Sequence, residues 1–369
     1  MLSVHPAVIT DIIRADVQVI EARAIAESET QERRVLAYPA LSGGLAVGDA
    51  VLLNVTATTL SLGTGGSDFV VANLSQAAPM TFGDPEGDEH IIKLRYTPHQ
   101  HAVRAVEMMP EHAGVWDRAD SLRGTPVVVC ELHSQVAAVC AGVKAARPDV
   151  RVVYVYTDTA ALAIAFSRLV PQLKNAGLLD ATITSGQAFG GDYEAVSVPS
   201  ALIAADWIAG ADVIIVGQGP GNAGTGTKYG WGGVETAAFC AIAAQLKGDT
   251  IFALRVSDAD ARGRHSGVSH HSRTVLETLA TRTVTVAIPT EQADAFSREP
   301  SREAIQQRHH RFAEASGEPG LILLQERGIQ VTTMGRSVEQ DRTFFAFAAA
   351  AGAVAAAKLS PRLATPTPE

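Results

Sequence analysis

From Thr125 onward the chain alternates short, β-branched apolar runs with longer segments of helical period. PVVVCEL (126–132) precedes SQVAAVCAGVKAA, RVVYVYT (151–157) precedes ALAIAFSRLVPQLKNAG, and ATITSG (181–186) precedes SVPSALIAADWIAG. DVIIVG (212–217) leads to VETAAFCAIAAQLKG, TIFALRVS (250–257) to RTVLETLATR, and VTVAIP (284–289) to a polar helical region. GIQVTTMG (328–335) precedes VEQDRTFFAFAAAAGAVAAAK. Strand runs separated by helices require right-handed βαβ crossovers, because parallel neighbours cannot be joined by a tight turn. The pattern predicts an α/β domain over 125–358 with a doubly wound, largely parallel sheet of about seven strands. Gly177, Gly210 and Gly248 stand where helix C-caps belong.

The first hundred residues read differently. VQVIEARAIA (17–26), RRVLAYPAL (33–41), DAVLLNVTA (49–57) and DFVVANL (68–74) are short, apolar and bounded by turns such as SGG and GTGG. HIIKLRYTP (90–98) adds a further strand. Short strands without intervening helices predict a small all-β barrel or sandwich over 1–97, with 98–124 as a connection. The tail from 359 to 369 is polar and proline-rich and reads as disordered.

A net charge of −9 without any long Lys/Arg run argues against a nucleic-acid surface. FFAFAAAAGAVAAA (344–357) is about 14 residues long, against the ~20 needed to span a bilayer, and reads as a closely packed core helix. The start, MLSVHPAVITDIIRAD, lacks the basic and apolar regions of a signal peptide. Cys130, Cys140 and Cys240 lie in apolar surroundings without CxxC spacing, as buried free thiols of a cytoplasmic protein would.

Ligands of open parallel sheets bind beyond the carboxyl ends of the strands, and the loops there carry the chemistry-bearing residues. Gly219, Gly221 and Gly224 fit GxGxxG after a strand, but no acid stands ~20 residues on, which argues against NAD. With Thr225, Gly226, Thr227 and Lys228 the loop suits an anion instead. The next loop concentrates Asp258, Asp260, Arg262, Arg264, His265, His270 and His271. Arginine with histidine suits a phosphate or carboxylate and acid–base work, for which His265, His270, His271 and Asp258 are the catalytic candidates. Asp258, Asp260 and the three histidines also suit a divalent metal, although their spacing fits no standard zinc pattern. Gly190, Gly191 and Asp192, and Arg336 after the run at 328–335, are further candidates for ligand contact. Glu131, His133 and Ser134 lack the GxSxG elbow of a serine nucleophile, and His309 and His310 read as a solvated helix face.

TSGQAFGGDYEAV, GPGNAGTGT, GRHSGVSHHS and TTMGRSVEQDRTFF are similar to strings of a bacterial family, Domain of Unknown Function 3866. So are GDAVLLNVTA and GTGGSDFVVAN near the start, and the likeness spans nearly the whole chain. It implies no activity and no catalytic residues. The residues themselves favour an enzyme acting on a phosphorylated or otherwise anionic small molecule. A metabolite-binding regulator and an oligomeric scaffold remain as alternatives, and a homo-oligomer is compatible with each.

Overall fold

The computed structural model describes residues 2–27, 29–63, 65–76 and 90–359. They fall into two compact units, Met1–Val103 and Arg104–Glu369. The tail from 360 to 369 lies outside the described residues.

The first unit is a closed five-stranded barrel of β1 (Val4–Ala15), β2 (Ile20–Ala26), β3 (Arg33–Ala37), β4 (Ala50–Asn54) and β5 (Asp68–Asn73), in the order β1-β2-β3-β5-β4. All pairs are antiparallel except β3 with β5. Closure leaves no free edge. Alternate residues Ala22, Ala24 and Ala26 of β2 and Val51 and Leu53 of β4 face inward and are buried. The long β1 escapes a period-2 reading because its register shifts between Ile9 and Asp11 and again between Ile12 and Arg14. A separate pair, β6 (His90–Lys93) with β7 (His101–Arg104), follows.

The second unit is built on eight parallel strands. They are β8 (Pro126–Cys130), β9 (Val152–Thr157), β10 (Ala181–Ser185), β11 (Tyr193–Ala195), β12 (Val213–Gln218) and β13 (Asp249–Ala253). A two-stranded antiparallel pair, β14 (Val256–Ser257) with β15 (Gly267–Val268), intervenes before β16 (Thr285–Pro289) and β17 (Arg311–Ala315) complete the sheet. The order is β11-β10-β9-β12-β8-β13-β16-β17.

Two strands differ from the sequence expectation. GIQVTTMG forms no strand, since Gly328, Met334 and Gly335 all take positive φ. Instead RFAEA, inside the region read as polar helix, forms the edge strand β17, whose half-exposed pattern tolerates its charges. The short β11 forms the opposite edge.

Both faces of the sheet are covered. Val128, Tyr154, Tyr156, Val213 and Ile215 face one core, shared with α1 (His133–Ala146), α2 (Leu169–Asn175), α5 (Glu318–Glu326) and α6 (Arg342–Ala357). Val127, Val129, Val153, Val155, Ile214 and Val216 face the other, shared with α3 (Val198–Trp207) and α4 (Thr236–Gln245). This alternation follows from the two-residue repeat of a strand. The alanine-rich α6 is the buried core helix its composition suggests. No described helix is long and apolar enough to cross a membrane. The three cysteines are buried and free.

The connections set the site. After β8 the chain crosses over one face to β9, whereas after β12 and β13 it proceeds in the opposite direction along the sheet. The loops following β8, β12 and β13 therefore diverge around a topological switch point, where α/β sheets bind ligands.

Candidate functional site

Three imidazoles gather beyond the end of β13. The β14–β15 pair closes the 258–266 loop, with Gly267 at φ 66° completing the turn. His265 ends a 3-10 turn (Gly263–His265), and His270 and His271 open a short helix capped by Ser269. The Ser269 hydroxyl accepts the His271 backbone N–H at 3.2 Å and bonds His265 Nδ1 at 2.8 Å, tying the two segments together. Ring centroids lie 4.9 Å apart for His265 with either neighbour and 4.3 Å apart for His270 with His271. One nitrogen from each ring lies within 4.8 Å of the others. His270 Nε2 is buried and finds no partner among the described residues.

Guanidinium groups surround this cluster. Arg255, just past β13 and 2% exposed, donates through Nη1 to His271 Nδ1 at 3.4 Å, and exposed Arg264 donates through Nε to His265 Nε2 at 3.4 Å. Arg262 and Arg336 flank Asp260 at 2.7 and 3.3 Å, with Arg255 at 3.7 Å, and Arg336 also reaches Asp341 at 2.9 Å. On the inner side, the Ser272 hydroxyl donates to the buried Glu131 carboxylate at the end of β8 and accepts the Arg255 backbone N–H at 3.0 Å. Four guanidiniums thus stand against the carboxylates of Glu131, Asp260 and Asp341, which leaves the neighbourhood positive.

The electrostatics keep the histidines neutral. Burial, then the Arg255 charge, lowers His265 to about 3 and depresses His271 further. Burial and the Arg264 charge lower His270. Burial raises Glu131 to about 7, against the opposing pull of Ser272 and Arg255. The arginines hold Asp260 well below the usual carboxylate range, the Arg262 hydrogen bond first among them.

His133 follows the same logic one strand away. Tyr154 Oη donates to the Gln218 carbonyl at 2.8 Å, so at 3.2 Å it can only accept from His133 Nδ1–H. His133 Nε2 then accepts from Ser167 Oγ at 2.7 Å, while that oxygen already accepts the Leu169 and Val170 N–H groups. Protonating the ring would break this arrangement, and burial lowers it to about 4. Its unfolded value is ~6.5, so the unfolded chain binds more protons between the two values and the stability contribution is present above 6.5. We expect Tm to fall as pH drops from 6.5 toward 4, with His133 contributing up to ~1.4 kcal/mol per pH unit. A flat Tm profile over that range in wild type would contradict this.

The other sequence candidates separate into those brought to this centre and those held elsewhere. The 219–231 loop reaches it through Trp231, whose ring stacks on His271 at 3.7 Å and an interplanar angle of 1°, and through Gly226, which lies beside Arg264. Its polar groups fold the loop itself. Thr225 Oγ1 bonds Thr227 Oγ1 and the Gly230 carbonyl, each at 3.0 Å, Gly230 N–H bonds Thr227 Oγ1, and Gly224 bridges Trp231. Lys228 is exposed, with its ammonium 5.2 Å from the Tyr229 ring. Gly219 and Gly221 line a separate cleft.

Asp258 is exposed and accepts the Thr343 hydroxyl, and Asp260 serves the arginines, so neither carboxylate joins the three imidazoles. Arg336 buttresses Asp260 and Asp341. Gly190, Gly191 and Asp192 are not brought to the centre. The β10–β11 connection runs back along the sheet, where Asp192 accepts Thr182 N–H and Oγ1 and pairs with Lys174 at 2.5 Å. Four strand steps of ~4.8 Å separate β10 from β13. His310 is buried rather than solvated, accepting Val284 N–H and bonding the Leu276 carbonyl at 2.9 Å. The sequence reading pointed to neither Arg255, Ser269, Ser272 nor Trp231 as part of the centre. Arg255, Ser272 and Trp231 act through neighbours distant in sequence, and Ser269 sits at an ordinary helix start, where a serine cap needs no other role.

The family model described as protein of unknown function (DUF3866) matches residues 34–352. The chain belongs to this family. No curated protein and no solved structure matches it. The span shared with the DUF3866 family contains the whole histidine–arginine centre and the switch-point loops.

Proposed function

We propose that the chain is an α/β enzyme that binds an anionic small molecule, of phosphate or carboxylate type, at the centre formed by His265, His270, His271 and the surrounding arginines. The observation that carries this is the packing of three neutral imidazoles among guanidiniums that outnumber the nearby acids. Neutral rings can accept a proton, and an arriving anion raises their basicity by cancelling the field that now depresses it. Proton uptake would then accompany substrate binding, the behaviour of a general base poised for use. Glu131, near neutrality at about 7, supplies a second group able to exchange a proton beside the cluster.

A second reading, a divalent metal on the three histidines, is favoured by their nitrogens lying within 4.8 Å of one another. The residues fit it less well. Arg264 and Arg255 donate to ring nitrogens of His265 and His271, where a metal ion or an acceptor for the ring N–H would have to stand. The surrounding positive charge also opposes a cation.

Inorganic phosphate tests both. Added at millimolar concentration to 15N-labelled protein, it should move the ring resonances of the three histidines and raise their titration midpoints. Arg264→Ala should weaken this about tenfold, consistent with ~1.4 kcal/mol from a charge-assisted contact. Cobalt(II) should show only the weak absorption of the free aqua ion, without the more intense d–d bands of a protein-bound site. Stoichiometric cobalt binding strengthened by Arg264→Ala would replace the anion reading with the metal one, and rings unmoved by phosphate would sink it.

A further inference from the structure

A cleft of about 290 Å³ opens at the switch point, distinct from the histidine centre, between the start of α1, the start of α2 and the Gly219–Asn222 turn. That is near the lower end of the ~300–1,000 Å³ typical of small-molecule sites. Gln218, on the last residue of β12 and 2% exposed, contributes to its wall. Its Nε2 donates to the Glu131 carbonyl at 2.8 Å. A carbonyl only accepts, so this bond fixes which end of the amide is nitrogen. Gln218 Oε1 is left buried, with no partner among the described residues. An orphaned buried acceptor destabilises the fold unless something donates to it.

The opposite wall has the complementary character. Ser134 stands in the first turn of the 14-residue α1, where N–H groups have no carbonyl within the helix to bond and the helix dipole favours negative charge. The exposed Arg168 lies at the mouth of the same cleft, at the N-cap of α2. Gly219 lets the backbone turn here at close range, because a Cβ on it would lie 1.8 Å from Tyr156 Oη.

We propose that this cleft is a second binding site, for a small hydroxylated anion of monosaccharide-phosphate or sugar-acid type. The anionic end would sit against the start of α1 and Arg168, and a hydroxyl would donate to Gln218 Oε1. The site requires neither the histidine centre nor its ligand.

Thermal-shift and calorimetric titration of the full chain with ribose 5-phosphate, D-gluconate, ribose and propyl phosphate tests this. Ribose 5-phosphate or gluconate should raise Tm by about 3 °C or more at saturating concentration, and which of the two acts tells phosphate from carboxylate. Ser134→Asp keeps a residue favourable to a helix start but places negative charge in the anion position, and should weaken binding at least tenfold. Arg168→Gln should weaken it several-fold. His271→Ala should keep the binding that Ser134→Asp and Arg168→Gln weaken, even where its histidine centre no longer responds to inorganic phosphate, which separates the two sites. The proposal is overturned if neither anion binds, if ribose binds equally well, if propyl phosphate matches ribose 5-phosphate, or if Ser134→Asp retains full affinity.

Discussion

Arg255→Met is expected to raise the titration midpoints of His265 and His271 by about one to two units, the largest electrostatic change any single substitution should cause here. Arg255 is the strongest charge acting on both rings, second only to burial, and it contacts His271 directly. Removing a unit charge at ~4–6 Å in an effective dielectric of ~20 is worth up to a few kcal/mol, and each pKa unit corresponds to ~1.4 kcal/mol. Methionine keeps an unbranched apolar stem in this buried position while removing the charge and the hydrogen bond to His271, both of which oppose protonation of that ring. The same change removes a cation facing Glu131 and Asp260. Glu131 can absorb that loss by holding its proton over a wider pH range. Asp260 keeps Arg262 and Arg336. Destabilisation should therefore fall below the ~3–5 kcal/mol typical of breaking a buried pair. Ring 15N shifts followed against pH read the outcome directly. Unchanged midpoints would mean that burial alone sets the state of these imidazoles, and the field argument behind the anion proposal would fail with it.

Much of this architecture was legible because it rests on local periodicity. Apolar runs such as VVYVYT and DVIIVG can only be buried strands, and the helical segments between them force parallel crossovers. What escaped were elements whose signal is weak for physical reasons. A three-residue edge strand such as β11 has no period to detect, and the bulged β1 breaks its own alternation. At the site, sequence proximity concentrated attention on the 258–271 loop, and three of its histidines do converge. It misplaced the acids, because Asp260 lies two residues from Arg262 and pairs with it in a tight turn. Topology misled at Gly190–Asp192. A loop that follows a strand begins at the carboxyl edge, but one that must start a neighbouring parallel strand returns along the sheet. The Trp231–His271 stack joins residues forty positions apart and belongs to packing alone.

Gly142→Ala is expected to be the most damaging single-methyl substitution in the second unit. Gly142 of α1 faces α6, where a Cβ would lie 2.0 Å from the Ala349 carbonyl oxygen. A Cβ on Gly352 of α6 would lie 2.1 Å from Val139 O on the other side, and a Cβ on Gly320 of α5 would fall 2.9 Å from Gly142 Cα. These neighbours are backbone atoms, which no rotamer change can move. The helices would have to part, withdrawing Phe344, Phe345 and the alanines of α6 from a core in which they are almost fully buried. Overpacking commonly costs ~1–3 kcal/mol where side chains can yield. With backbone on both sides, we expect at least ~3 kcal/mol here, lowering Tm by about 6–12 °C for a unit of this size. Gly114→Ala is the matched control. It lies in a short helix of the same unit, has nothing within 4 Å of its added methyl, and should be neutral or slightly stabilising. Because α1 also begins at the cleft, Gly142→Ala should weaken ribose 5-phosphate binding as well, by displacing Ser134 from the wall it forms with Arg168 and Gln218. Equal Tm values for the two alanine variants would show that the α1–α6 crossing is looser than its glycines imply.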